Sequence, residues 1–67
     1  MKQSYTIEVL SPSKFDWSFY EDYMDTVEGA REHLFCVRKA FPMYSVRAID
    51  RITGKVFAMI KGAYADD

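Results

Sequence analysis

The feature that most constrains the fold is a helical repeat of apolar residues in segment 25–41, DTVEGAREHLFCVRKAF. Apolar side chains recur there at spacings of three and four, at Val27, Ala30, Leu34, Val37 and Phe41. Because such spacings fall on one side of an α-helix, this segment is predicted to form a helix with one buried face. Asp25, or Thr26 as the alternative, is the predicted N-cap, and Pro42 is predicted to end the helix.

Two hairpins are predicted on either side of this helix. Residues 4–10 alternate apolar and polar side chains, which is typical of a strand with one buried face. Residues 15–24 begin with an alternation of aromatic and polar residues and are predicted to form a second strand, with an irregular or helical segment as the alternative. Residues 44–51 and 55–61 are predicted to pair around the loop 52–54, whose glycine suits a left-handed backbone.

The predicted fold is therefore a single α+β domain over residues 1–67, with the order β-β-α-β-β and one helix on one face of an antiparallel sheet. The runner-up is β-α-β-β, in which residues 15–24 form no strand. The loop is predicted to pair Arg51 with Lys55 and so to set the register of the second hairpin. Residues 62–67 are predicted to be a frayed acidic tail.

The predicted register assigns the side chains of the second hairpin to two faces. The face toward the helix carries Val46, Ala48, Asp50, Val56, Ala58 and Ile60. The opposite face carries the basic residues Arg47, Arg51, Lys55 and Lys61 and the apolar residues Ile49, Phe57 and Met59. This opposite face is the predicted location of a binding surface.

Aromatic residues make up 16% of the chain. A domain of this size buries only about 60% of the surface that its unfolded chain exposes, so some aromatic side chains are predicted to be exposed or buried against a partner. The acidic, aromatic segment 15–23 and the opposite face of the second hairpin are the predicted protein-binding regions. Their candidate contact residues are Trp17, Phe19, Tyr20, Tyr23, Ile49, Phe57 and Met59.

Charge is distributed unevenly along the chain. Residues 1–30 hold two basic and six acidic side chains, whereas residues 31–67 hold seven basic and four acidic side chains. The folded chain then has either two surface patches of opposite charge, or a sheet in which the two halves interleave and their charges cancel. The alternative function is binding of nucleic acid, with Phe57 as a stacking platform for a single strand. Its candidate phosphate contacts are Arg47, Arg51, Lys55 and Lys61.

No sequence motif indicates catalysis, a cofactor or a metal. The three glycines are too far apart to form a phosphate-binding loop. His33 and Cys36 lie three residues apart, but a zinc site or a nucleophile-base pair would lack its remaining groups. They are predicted to be a histidine on the helix surface and a partly buried thiol. We therefore predict that the protein is not an enzyme and that it binds no cofactor.

The single cysteine, Cys36, excludes a disulfide within the chain. The N-terminal residues contain no apolar run long enough for a signal peptide, and no segment approaches the roughly 20 apolar residues of a membrane span. These features predict a cytoplasmic protein, because small secreted domains are usually held together by disulfides.

Two short segments resemble those of small single-domain proteins encoded by phages and other mobile elements. They are Asp25-Thr26 with Glu28 and Ala30-Arg31, and Asp50-Arg51 with Thr53-Gly54-Lys55. The resemblance extends to the order of elements over most of the chain, and the segments themselves belong to a helix cap and a hairpin turn. It implies an accessory protein that modulates a host protein, a class that includes anti-defence inhibitors. The predicted function is a non-enzymatic protein-protein interaction module that forms a homodimer.

Overall fold

The computed structural model describes residues 1–63, which form one four-stranded antiparallel sheet and one helix. The elements are β1 (Gln3–Leu10), β2 (Ser18–Asp25), α1 (Val27–Ala40), β3 (Ser45–Asp50) and β4 (Val56–Ile60). This order, β-β-α-β-β, confirms the predicted fold class, and the runner-up without a second strand is wrong. The strands lie in the order β2-β1-β3-β4, so the two halves of the chain meet where β1 pairs with β3.

Helix α1 has the predicted buried face, and its N-cap is the alternative residue, Thr26, rather than Asp25. Thr26 is the N-cap, because its Oγ1 accepts a hydrogen bond from the N–H of Gly29 at 3.1 Å. The buried side chains of the helix are Ala30, Leu34 and Val37. Phe41 is the C-cap, and Pro42 follows directly, where its missing N–H cannot continue the helix.

The core lies between α1 and the two central strands. Its largest fully buried side chains are Tyr5, Ile7, Leu34 and Val46. Residues from the edge strands pack around this centre but are only partly buried. Because the core is small, each of its large side chains accounts for a substantial part of the total stability.

Strand β2 lies further along the chain than the aromatic alternation predicts. Phe15 is fully exposed in the β1–β2 connection, and the strand begins at Ser18 and continues to Asp25. A bulge inserts Tyr20 into this strand, because Ile7 pairs with Glu21 but the next residue of β1 pairs with Phe19. The extra residue breaks the period of two, which is why the pattern appears to end where the strand actually continues.

The register of β3 and β4 agrees with the prediction over most of the hairpin. The predicted pairs that are present are Val46–Ile60, Arg47–Met59 and Ala48–Ala58. Near the turn, Ile49 pairs with Val56 instead of Phe57, because a bulge shifts the register. Phe57 therefore lies on the helix side of the sheet, where it packs against the core. Val56 takes the position opposite Ile49 that was predicted for Phe57.

The β3–β4 turn is held by Asp50 and Gly54. The predicted pair of Arg51 with Lys55 does not form, because the N–H of Asp50 donates to the carbonyl of Lys55 at 2.9 Å. Asp50 Oδ1 also accepts a hydrogen bond from the N–H of Ile52 at 2.8 Å. Gly54 has a φ of +74°, the left-handed conformation that the sequence predicts at this residue.

The predicted frayed tail covers residues 62–67, but its first two residues, Gly62 and Ala63, bond to the rest of the fold. Gly62 is buried, and its N–H donates to Ser45 Oγ at 2.9 Å. A Cβ at this position would lie 2.6 Å from the carbonyl oxygen of Met43, so the close approach of the two segments requires glycine. Residues 64–67 lie outside the described part of the chain.

Candidate functional site

On the face of the sheet opposite α1, which we call the open face, two rows of side chains cross all four strands. Directly opposed residues of antiparallel strands point to the same side of the sheet. The rows are Phe19–Glu8–Arg47–Met59 and Asp22–Thr6–Ile49–Val56. Val46 and Ala48 alternate with these residues along β3 and are buried under the helix, so both rows point away from it.

The polar side chains of the open face bond to one another. Arg47 donates to Glu8 Oε1, with distances of 2.9 Å from Nε and 2.7 Å from Nη2. Thr6 Oγ1 donates to Asp22 Oδ1 at 3.2 Å, and Asp22 Oδ2 lies 3.7 Å from Arg51 Nη1. The acidic first half and the basic second half of the chain therefore neutralise each other on this face, as one of the two predicted outcomes describes.

Trp17 covers the centre of the open face. Its ring lies 4.3 Å from the guanidinium carbon of Arg47, which is the geometry of a cation–π contact. Trp17 belongs to the β1–β2 connection and Arg47 to β3, so the contact holds this connection across the sheet. The side chains of Arg47 and Glu8 are 25% and 22% exposed, so water screens their attraction less than it screens a fully exposed ion pair.

Large apolar side chains remain exposed on both sides of this polar centre. On β2, Phe19 is 63% exposed and Met24 is 62% exposed. On β4, Val56 is 51% exposed and Met59 is 49% exposed. The open face thus has a neutralised centre between two apolar flanks, an arrangement that a second protein surface can cover without leaving a charge unpaired.

The structure divides the predicted partner-binding residues between the two sides of the sheet. Those on the open face are Trp17, Phe19, Ile49 and Met59. Those on the helix side are Tyr20, Tyr23 and Phe57. The prediction that Phe57 shares a face with Ile49 and Met59 is wrong, since its ring centroid lies 5.1 Å from that of Tyr5 in the core region.

Two residues of the open face, Met24 and Val56, are absent from the predicted set. Met24 was missed because β2 extends to Asp25, beyond the visible alternation. Val56 was missed because the bulge in β4 exchanges its face with that of Phe57. A glycine can mark a bulge in a sequence, but no glycine lies inside β2 or β4.

The four predicted phosphate contacts do not form one basic strip. Arg47 and Arg51 each face a carboxylate, whereas Lys55 and Lys61 lie at the two ends of β4. Phe57, the predicted stacking platform, lies on the other side of the sheet. Nucleic-acid binders present unpaired cations along the path of the phosphates, and the open face does not have this arrangement.

His33 and Cys36 differ in their exposure on α1. The ring of His33 stacks on that of Tyr23, with centroids 3.7 Å apart, and its Nε2 contacts the carboxylate of Glu21. His33 is therefore a half-buried link to β2 rather than a freely exposed side chain. Cys36 is exposed, so the predicted partial burial of the thiol is wrong. Within residues 1–63, no cluster of three His, Cys, Asp or Glu side chains is arranged to hold a metal.

Tyr23 and Asp25 join the end of β2 to the start of α1. The hydroxyl of Tyr23 donates to Asp25 Oδ2 at 2.8 Å, and the N–H of Thr26 donates to Asp25 Oδ1 at 2.6 Å. The bond from Tyr23 and then the bond from Thr26 lower the pKa of Asp25 below its ordinary value. The same bond to Asp25, together with burial, raises the pKa of Tyr23.

We expect Asp25→Asn to lower the free energy of unfolding at pH 7. We expect the difference in this free energy between wild type and variant to be smaller in acid. Because the folded-state pKa of Asp25 lies below its ordinary value of 3.8, its contribution is present above that pH and is lost as the pH falls through the folded-state pKa. For Tyr23 the sign is opposite: its contribution is present below its ordinary pKa of 10.0 and is lost as the pH rises through the raised folded-state value.

The measurement is urea unfolding of the wild type and the variant at pH 7 and at about pH 3. Asp16→Asn, which alters an exposed carboxylate in the β1–β2 connection, is the control and should leave the urea midpoint unchanged. A difference between wild type and Asp25→Asn that stays constant over this range would contradict the expectation.

Comparisons with known proteins assign no family to this chain. It matches no protein-family model, and neither a curated protein nor a solved structure matches it. In the described part of the chain, no helix is both long enough and apolar enough to cross a membrane. Any functional conclusion therefore depends on the geometry and chemistry of the chain itself.

Proposed function

We propose that the protein is a non-enzymatic protein-interaction module that binds through the open face of its sheet, with a second copy of the chain as its first partner. The observation that carries this proposal is the exposure of large apolar side chains around polar groups that are already paired. Burial of an unpaired charge is strongly unfavourable, whereas paired groups keep their hydrogen bonds when another surface covers them. The apolar flanks then supply the favourable free energy of association.

A second copy suits this face because both its charges and its apolar flanks are self-complementary. The central charges are two acidic and two basic side chains, Glu8, Asp22, Arg47 and Arg51. A two-fold axis parallel to the strands places the β2 flank of one copy over the β4 flank of the other. Stacked sheets lie about 10 Å apart, a separation that the side chains of the two flanks can fill.

We extend this proposal to a cytoplasmic accessory protein that modulates a host protein. This is the role implied by the resemblance to proteins of phages and mobile elements. In such a role, the dimer is the form of the protein that meets its target. The dimer is therefore the first part of the proposal to test.

The test is the dissociation constant of the dimer, measured by sedimentation equilibrium, in Phe19→Asp and Met59→Asp. We expect the wild type to be dimeric at micromolar concentration and each variant to dissociate at least about 30-fold more readily, the effect of removing a contact worth about 2 kcal/mol. Both side chains are exposed in the single chain, so the fold should persist, as circular dichroism can verify.

Phe35→Asp is the control matched to Phe19→Asp, because Phe35 is a similarly exposed aromatic residue on α1, on the other side of the sheet from Phe19. It should leave the dimer intact. A monomeric wild type, or equal dissociation by Phe35→Asp, would refute the proposal. Binding of a single-stranded oligonucleotide with a steep dependence on salt, about −0.7 in log-log slope per neutralised phosphate, would instead support the alternative function.

A further inference from the structure

Strand β4 is an edge strand with an unusual sequence for that position. Its residues, VFAMI, include no charged residue and no proline, and within residues 1–63 only β3 pairs with it. An edge strand directs part of its backbone N–H and C=O groups away from the sheet, where they can pair with another chain. Strand β2, at the other edge, carries Glu21, Asp22 and Asp25, charges of the kind that protect an edge.

An apolar cleft of about 220 Å³ lies on the helix side of β4. It is lined by Arg31, Leu34, Phe35, Ala58, Met59 and Ile60. A strand added beside β4 would direct every second side chain to this side of the sheet. An exposed edge next to an apolar groove is the arrangement by which several domains bind extended peptides: the backbone supplies affinity and the groove selects side chains.

Cations surround this edge. Lys55 and Lys61 stand at the two ends of β4, and the guanidinium of Arg31 lies 5.3 Å from the ring centroid of Phe57. Arg38 Nε donates to the carbonyl of Lys61 at 2.9 Å. Within residues 1–63, none of these four cations forms an ion pair, in contrast to the two arginines of the open face. The β4 edge is therefore apolar along its length and positively charged around it.

These charges distinguish between two possible strands beside β4: the β4 strand of a second copy and a segment of a different protein. If two copies of β4 paired antiparallel around Ala58, Lys55 of each copy would face Lys61 of the other. Like charges directly opposite each other destabilise a strand pair. An acidic segment would instead bring carboxylates to the two ends of β4, near Lys55 and Lys61, so charge complementarity favours a different, acidic partner over a second copy.

We propose that the β4 edge and its cleft bind an extended acidic peptide segment that carries apolar side chains at alternate positions and adds to the sheet as a fifth strand. This goes beyond the proposed dimer, because the cleft on the helix side of β4 shares only Met59 with the open face. The dimer is tested by its dissociation constant and the edge by peptide binding, so either proposal can fail without the other.

The probe is a fluorescein-labelled peptide of nine alternating aspartates and valines, blocked at both ends and titrated with the full-length protein by fluorescence anisotropy. We expect it to bind at least tenfold more tightly than a peptide in which lysine replaces each aspartate. A third peptide, acidic but methylated on the backbone nitrogens of its central residues, should lose binding, since it cannot donate the hydrogen bonds of a strand. These peptide comparisons leave the protein unchanged.

Variants of the protein test whether the peptide binds at the β4 edge. Lys55→Glu combined with Lys61→Glu should weaken binding of the acidic peptide about tenfold, because two attractive contacts become repulsive. Lys2→Glu combined with Lys14→Glu is the matched control: it makes the same change in net charge at exposed lysines away from β4 and should leave the affinity nearly unchanged. In nitrogen-15 NMR spectra, the peptide should shift the amide signals of Val56–Ile60 and slow their hydrogen exchange.

Several results would overturn the inference. They are equal affinity for the acidic and basic peptides, undiminished binding of the methylated peptide, absence of any binding at 1 mM, and no change at the β4 amides. Protection of these amides in the protein alone, together with dimerisation, would show that a second copy occupies the edge. Peptide binding by monomeric Phe19→Asp would support this inference even if the open-face dimer proved wrong, and an intact dimer without peptide binding would overturn this inference alone.

Discussion

Leu34→Ala is expected to destabilise the protein by about 2–5 kcal/mol, the range for deleting a large aliphatic side chain from a core. Leu34 is 1% exposed, lies in the middle of α1, and packs in the core cluster with Ile7 and Val46. A domain of this size has a total stability of roughly 3–10 kcal/mol, so the variant should be largely unfolded or should melt at least about 10 °C lower.

The measurement is urea and thermal unfolding followed by circular dichroism, at one fixed protein concentration because dimerisation would add to the apparent stability. Phe35→Ala is the control. It removes a larger side chain from the adjacent position, but Phe35 is 57% exposed, so the expected change is within about 0.5 kcal/mol. If Leu34→Ala proved as mild as Phe35→Ala, the core would not be centred on the contact between α1 and the sheet.

Gly29→Ala is expected to destabilise the protein by about 1–2 kcal/mol, although alanine is the better helix former by about 1 kcal/mol. A Cβ at Gly29 would lie 2.3 Å from Asp25 Cγ and 2.4 Å from both oxygens of that carboxylate. The carboxylate cannot move away freely, because it accepts hydrogen bonds from Tyr23 and Thr26. Relief of the overlap therefore requires the loss of hydrogen bonds that hold the Asp25 side chain at the start of α1.

A double-mutant cycle with Asp25→Ala tests this explanation. Once the carboxylate is absent, Gly29→Ala should become stabilising, because only the gain in helix propensity remains. The two sites should thus show a coupling energy of about 1–3 kcal/mol in urea unfolding. If Gly29→Ala stabilised the protein in both backgrounds, the contact with Asp25 would not explain the presence of glycine in this helix.

The open face shows how far a sequence pattern extends toward a site. The predicted face of Arg47 and Met59 is correct because their part of the hairpin keeps the period of two. The predicted face of Phe57 is wrong because one bulge reverses the alternation beyond it. The sequence has no local signal for this bulge, since it depends on how β4 meets the neighbouring strand.

The exposed charges show a similar limit. The sequence reveals that its first half is acidic and its second half basic, but not where the charges meet. Pairing of β1 with β3 places Glu8 opposite Arg47, and the β1–β2 connection brings Trp17 over the same arginine. Within residues 1–63, Lys55 and Lys61 flank β4 at an edge of the sheet that no further strand covers, and this contrast carries the inference of an acidic ligand.

By itself, the sequence determined helix α1, its buried face, the left-handed glycine at Gly54 and the order of the elements. These features depend on interactions between residues a few positions apart, so their periods and turn residues are visible in the chain. Only the tertiary structure decided which residues share the open face, which cations are neutralised and which strands form the edges of the sheet within residues 1–63. Those properties depend on bulges and strand pairings between distant segments, where the geometry of one strand is set by its neighbour.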